Sequence, residues 1–103
     1  MLPSSAAIFR MHALHAKRQA VRDVAARYRA TNIRVFGAVA RGDDTAASDV
    51  DLLVDTSADA SLYDRIEMSM EIEFLLGRPA DILTERGLNP HLRNRILSEA
   101  QPL

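Results

Sequence analysis

Cysteine is absent from the chain. That excludes disulfides, thiolate nucleophiles and thiolate-ligated metals. Tryptophan is absent too, and the two tyrosines and three phenylalanines do not cluster with arginine into a stacking platform for single-stranded nucleic acid. Lysine is nearly absent, with Lys17 alone among thirteen basic residues. Fourteen acidic residues bring the formal net charge to −1, so no global basic field points to nucleic acid. No apolar run approaches the roughly 20 residues of a membrane span. Arg10, His12 and Lys17 interrupt the N-terminal MLPSSAAIFRMHALHAKR, which is therefore not read as a signal peptide. The expectation is a cytoplasmic protein with no membrane contact and no direct nucleic-acid contact.

What is present is 103 residues at 48% hydrophobic and 26% charged. That is enough for one modest core, and the whole of residues 1–103 is read as a single domain. From Ser4 or Ser5 to Ala30 the chain has no glycine or proline, and Ile8, Met11, Leu14, Val21, Val24 and Ala25 recur near a 3.6-residue spacing. This predicts an amphipathic helix ended by Thr31 and Asn32. Ile33 to Phe36 is β-favouring, and Gly37 stops it. Ala38 to Arg41 can form a helical turn, followed by a loop from Gly42 to Ala47. Asp49 to Asp55 alternates, with Asp49, Asp51, Leu53 and Asp55 on one face and Val50, Leu52 and Val54 on the other.

Ser57 or Asp59 can cap a second helix over Ser61 to Leu76, which Gly77 ends. Its Leu62, Ile66, Met70 and Phe74 stripe is read as apolar packing, with Met70 in the core and Tyr63 packed near the helix start. Pro79 to Thr84 predicts a third strand. Leu88 to Ala100 predicts a last helix, with Asn89 as N-cap and Pro90 at its first position. The order α-β-β-α-β-α describes an α/β (α+β) domain, a small mixed sheet with helices packed on it.

The chemistry concentrates in GAVARGDDTAASDVD, residues 37–51. Asp49 and Asp51 are two apart, so in a strand both project from one face, about 6–7 Å apart along the chain. Carboxylates held that close repel unless a cation sits between them. Mg²⁺ takes one or two carboxylates plus substrate phosphates. Gly37 lets backbone N–H groups approach an anion, and Arg41 adds a positive group nearby. Asp81, inside the apolar stretch Ala80 to Leu83, is the candidate third carboxylate, because a solvated charge is not expected there. Alternating aspartates are also common on a plain solvated strand face. Asp43, Asp44 and Asp55 are read as solvated, and Arg78 as a surface charge. His12 and His15, three apart, lack a third ligand nearby.

The stretch resembles the G-S-x10-D-x-D signature of DNA polymerase β-type nucleotidyltransferases, with ten residues from Val39 to Ser48. Together with RVFGAVARG, SDVDLLVD, LLGRPADILTE and HLRNRILSEAQPL it resembles the minimal nucleotidyltransferase (MNT, MntA-like) antitoxins of HEPN/MNT toxin–antitoxin systems. The resemblance implies a minimal polymerase β-like fold and an adenylyltransferase that moves AMP from ATP onto a tyrosine of a cognate HEPN ribonuclease toxin. It implies two Mg²⁺ ions held by Asp49, Asp51 and Asp81, with Asp81 helping to activate the attacking hydroxyl. ATP would be bound by Gly37, Ala38, Arg41 and Ser48. Pairing with a second copy or with the toxin in a hetero-oligomer is also expected.

One position departs from the signature: its serine is Ala38 here. Loss of one hydrogen bond to a charged group costs roughly 1.5–3 kcal/mol, which predicts weakened rather than abolished activity. It also opens an alternative, an antitoxin that neutralises by binding alone. Two further rivals are an enzyme acting on a small-molecule or nucleic-acid hydroxyl and a metal-binding scaffold without transfer chemistry. The first would need an extra domain, which is not expected within these 103 residues, and the second leaves the glycine turn and arginine idle.

Overall fold

The computed structural model describes residues 12–45 and 47–103. The expected start of the first helix, with Ile8, Arg10 and Met11, lies outside those residues. Residues 12–16 are helical and are interrupted at Lys17. Helix α1 then spans Arg18–Arg27 and buries Val21, Val24 and Ala25. Strand β1 (Ala30–Phe36) leads directly into the short helix α2 (Gly37–Arg41). Strand β2 (Val50–Thr56), helix α3 (Leu62–Leu76) and strand β3 (Ala80–Thr84) follow. A 3-10 turn at Glu85–Gly87, helix α4 (Pro90–Glu99) and the two-residue strand β4 (Gln101–Pro102) complete the order.

The sheet order is β3-β2-β1-β4. β2 pairs antiparallel with β1 and parallel with β3, and β4 pairs antiparallel with β1, so the sheet is mixed, as expected. One face carries the main core: Val35, Val50, Leu52, Val54 and Ile82 pack against Val21, Val24, Met68 and Ile72 of α1 and α3. The other face is thinner. Phe36 and Leu53 pack there against Leu88, with Ile96, Leu97 and Ala100 of the α4 segment alongside. The two-residue period of β2 therefore sends its valines to the thick core and Asp51 to the thin face.

Several boundaries differ from expectation. α1 stops at Arg27, and Arg29 turns the chain at φ 64°. β1 begins three residues earlier than read, because Thr31 and Asn32 do not end a helix: Thr31 pairs with Asp55 and Asn32 lies in a bulge between Thr31 and Arg34. Asn32 accepts a left-handed φ of 52° there and donates a hydrogen bond to Asp55. The bulge lets both Ala30 and Ile33, three apart, face the core. The cap of α3 is neither Ser57 nor Asp59 but Ser61, in a reciprocal box with Asp64. Gly77 ends α3 at φ 68°, and Asn89 caps α4 ahead of Pro90, both as expected. β4 gave no sequence signal.

The α3 stripe is corrected outright. Met70 is 64% exposed and Phe74 89%, while Leu62, Tyr63 and Ile66 are also exposed. Met68 and Ile72 supply the core contacts instead. Asp44 is buried rather than solvated.

Candidate active site

The site lies where β1 ends, α2 turns and β2 begins. Gly37 sits at φ 73°, a backbone conformation that strains any residue with a Cβ. A Cβ placed there would stand 2.2 Å from Asp51 Oδ2. The α2 backbone and the β2 carboxylate therefore touch only because residue 37 has no side chain. Asp51 is part-buried, and the parallel register sets it directly opposite Asp81 on β3. Neighbouring strands lie about 4.8 Å apart, so the two carboxylates share one small region. Asp49 is exposed and sits one residue before β2, not within it.

Burial and the nearby charges of Asp81 and Asp49 push the Asp51 carboxyl up to about 6, against a smaller opposing pull from Arg41. Crowding of this kind is what a bound cation relieves. Among the described residues no three Asp, Glu or His side chains form a closed ligand set. The protein can thus contribute one or two carboxylates to Mg²⁺, with the rest from phosphate and water, which is how Mg²⁺ is ordinarily held. The donor set fits the ion on those terms. Asp81 is exposed on an edge strand, so the burial argument that singled it out fails, while its register places it beside Asp51.

Arg41, at the end of α2, donates Nη1 to Glu99 Oε1 at 3.2 Å and Oε2 at 3.1 Å, and Nε to Asp43 at 3.3 Å. Those two carboxylates, Glu99 first, raise its already high pKa. The Gly37 N–H donates to Glu99 Oε1 at 3.3 Å. Ser48 spends its hydroxyl locally, accepting from the Thr45 N–H at 2.8 Å. It shapes the loop before Asp49 rather than reaching outward. Ala38 adds no polar side-chain group.

Two residues have roles that differ from the sequence reading or are absent from it. Arg78, read as a surface charge, is mostly buried: its guanidinium stands 3.6 Å from Asp44 and donates to the Thr45 and Ser48 carbonyls. It ties the loop ahead of Asp49 to the start of β3. The available signal was an arginine wedged between a helix-ending glycine and a strand. Glu99 is the other. A carboxylate in the last turn of a helix is unfavourable against the helix dipole, which hints that a cation compensates it. An apolar hollow of about 320 Å³ lies beside Leu14, Val39, Val50 and Leu76, with Arg78 at its wall.

Comparison with known proteins bears on the family and the fold. A family model described as a nucleotidyltransferase domain matches residues 17–103. The protein adenylyltransferase MntA of Thermococcus cleftensis is 36% identical over 73 residues, covering 71% of this chain and 74% of that one. A Methanocaldococcus jannaschii protein assigned by name to the protein adenylyltransferases is 39% identical over 66 residues, 64% of this chain and 71% of its own. A solved structure described as a minimal nucleotidyltransferase superposes with a TM-score of 0.81 at 45% identity, covering 90% of this chain and 95% of that one. A solved toxin–antitoxin complex with AMP-PNP superposes at 0.67 and 17% identity over 78% of this chain and 66% of that one, a likeness of fold.

Proposed function

This chain belongs to the nucleotidyltransferase domain family, and from that premise we propose that it transfers AMP from Mg-ATP to a tyrosine hydroxyl of a cognate HEPN ribonuclease toxin, silencing it. The observation that carries the reading is the meeting of Asp51, Asp81 and the Gly37 turn on one open face, with Arg41 alongside. The relatives named as protein adenylyltransferases support a protein as acceptor. The shared fold of a toxin–antitoxin chain supports a toxin as that protein.

In this reading Asp49 and Asp51 anchor Mg²⁺, with Asp81 as the third carboxylate. The metal, when bound, neutralises phosphate charge and lowers the barrier to displacement at phosphorus. Gly37 and Arg41 orient the triphosphate by donating to its oxygens. Asp81 accepts the phenol proton as the tyrosine oxygen bonds to the α-phosphorus. The bond from that phosphorus to the bridging oxygen breaks, and pyrophosphate leaves. A free tyrosine, with a pKa of about 10, is a weak nucleophile at neutral pH, so such a base matters. Arg78 and Ser48 hold the preceding loop so that Asp49 stays in place. The face is open, with Asp49 and Asp81 exposed, and the incoming partner supplies the missing wall.

Ala38 supports a second reading, neutralisation by binding alone, because the hydroxyl that the signature places on the triphosphate is missing. One experiment separates the two. The partner toxin is incubated with the chain, ATP and Mg²⁺, and its intact mass is measured, with Asp49→Asn/Asp51→Asn as control. An AMP-sized gain that needs both aspartates is expected. A stable complex without mass gain replaces the transfer reading with binding alone.

A further inference from the structure

We infer that Glu99 is a built-in competitor for the triphosphate, its carboxylate occupying the donors that phosphate oxygens must take. The inference rests on the transferase reading of this site and concerns how nucleotide gains entry to it.

Glu99 Oε1 accepts from both the Gly37 amide and the Arg41 guanidinium, and Oε2 accepts from Arg41 again. The Gly37 amide and the Arg41 guanidinium, from the two ends of the short helix α2, converge on one carboxylate, the arrangement expected of an anion subsite. They are the donors assigned above to phosphate. The Glu99 side chain is only 18% exposed, so water does not readily replace it. Its backbone is fixed from both sides. Ile96, Leu97 and Ala100 pack against Phe36 and Leu53. Beyond them, Gln101 pairs with β1 and donates to the Ala40 carbonyl, and the buried Leu103 donates its N–H to the Ile33 carbonyl. Release of the donors therefore needs only a side-chain rotation, with α4 staying in place.

Glu99 also adds a negative charge beside Asp51. A triphosphate must then overcome both the occupied donors and a like charge. A site blocked for part of the time binds with an affinity reduced by the open fraction.

The test is a calorimetric titration of the full chain with AMP-PNP and Mg²⁺, comparing wild type with Glu99→Gln and Glu99→Ala. For a part-exposed pair of this kind the variants are expected to bind about 3- to 10-fold tighter. The free Glu99→Gln protein should also show a displaced Gly37 amide resonance in ¹H–¹⁵N spectra, moving toward a common position once nucleotide is added. Weaker binding by both variants would mean that Glu99 positions Arg41 for the nucleotide, and would overturn the inference. Unchanged binding overturns it as well. If neither wild type nor variants bind AMP-PNP, the transferase reading falls and this inference with it, whereas wild-type binding without a gain sinks this one alone. Circular dichroism melts establish that the variants are folded, and Glu99→Asp, one methylene shorter, should fall between wild type and Glu99→Gln.

Discussion

At the scale of single residues, Gly37 and Gly77 form a controlled pair. Both have left-handed backbones, at φ 73° and 68°. A Cβ at Gly77 meets nothing within 4 Å, whereas one at Gly37 would press on Asp51 Oδ2 at 2.2 Å and on its Cβ at 3.3 Å. Gly77→Ala carries only the backbone strain, about 1 kcal/mol, and leaves the site alone. Gly37→Ala adds the displacement of Asp51, for a total of about 2–3 kcal/mol, and should abolish Mg-AMP-PNP binding. Urea unfolding and nucleotide titration on both variants check this, and equal effects would refute the role given to Gly37. That role was legible in the sequence because it is local: a glycine after a strand, then an arginine, then paired aspartates, all within fifteen residues. Glu99 was not legible, because it reaches Gly37 across 62 positions of sequence. Asp81 was singled out for burial it does not have. Only the register of β3 against β2, which a sequence does not print, puts it beside Asp51.

At the scale of elements, α3 shows how a correct helix can carry a misread face. Its apolar residues Leu62, Ile66, Met70 and Phe74 repeat every four positions. Each four-residue step overshoots a turn by about 40°, so the stripe winds around the helix by roughly 120° over its length. The core side is set by Met68 and Ile72, both fully buried, with Leu75 and Leu76 packed beside them. The helix thus has two apolar sides, and periodicity alone did not say which one faces the sheet. Ile72→Ala should cost about 2–5 kcal/mol, as cavity-forming changes in a core do. Phe74→Glu, at a position 89% exposed, should change stability by less than about 0.5 kcal/mol. Chemical denaturation of the two variants decides the matter, and a comparable loss from Phe74→Glu would return the stripe to the core. The bulge of β1 and the strand β4 were illegible for a related reason. Asn32 has poor strand propensity and is accommodated by the bulge, by its hydrogen bond to Asp55 on the neighbouring strand and by the Arg34 guanidinium on its carbonyl.

At the scale of the whole molecule, the sheet supports two opposed tasks. Its thick face lowers the energy of the fold, and its thin face gathers carboxylates that raise it. Burial and the charges of Asp81, Asp49 and Glu99 all act on Asp51 in the same unfavourable sense, and Arg41 offsets them only in part. Functional sites commonly store such strain, and stabilising changes there cost function. The sign follows from the pKa. Asp51 rises from an ordinary 3.8 to about 6 in the folded chain, so the fold favours its protonated form. Its penalty is absent below about pH 4, grows as pH rises toward 6, and is complete above that. Asp51→Asn removes the charge, so in chelator the variant should match wild type near pH 4 and be more stable at pH 7.5. The two-unit shift converts to roughly 3 kcal/mol at most, and solvent access to this part-buried group reduces it to about 1 kcal/mol. For a domain of this size that is a rise in Tm of roughly 4–8 °C. Adding Mg²⁺ and AMP-PNP should reverse the order, because ligand binding stabilises only the chain that retains the carboxylate. Thermal melts at the two pH values, with and without Mg-nucleotide, read all of this directly. A gap that ignores pH would remove the repulsion from the account of this site, and a gap that ignores Mg²⁺ would remove the metal.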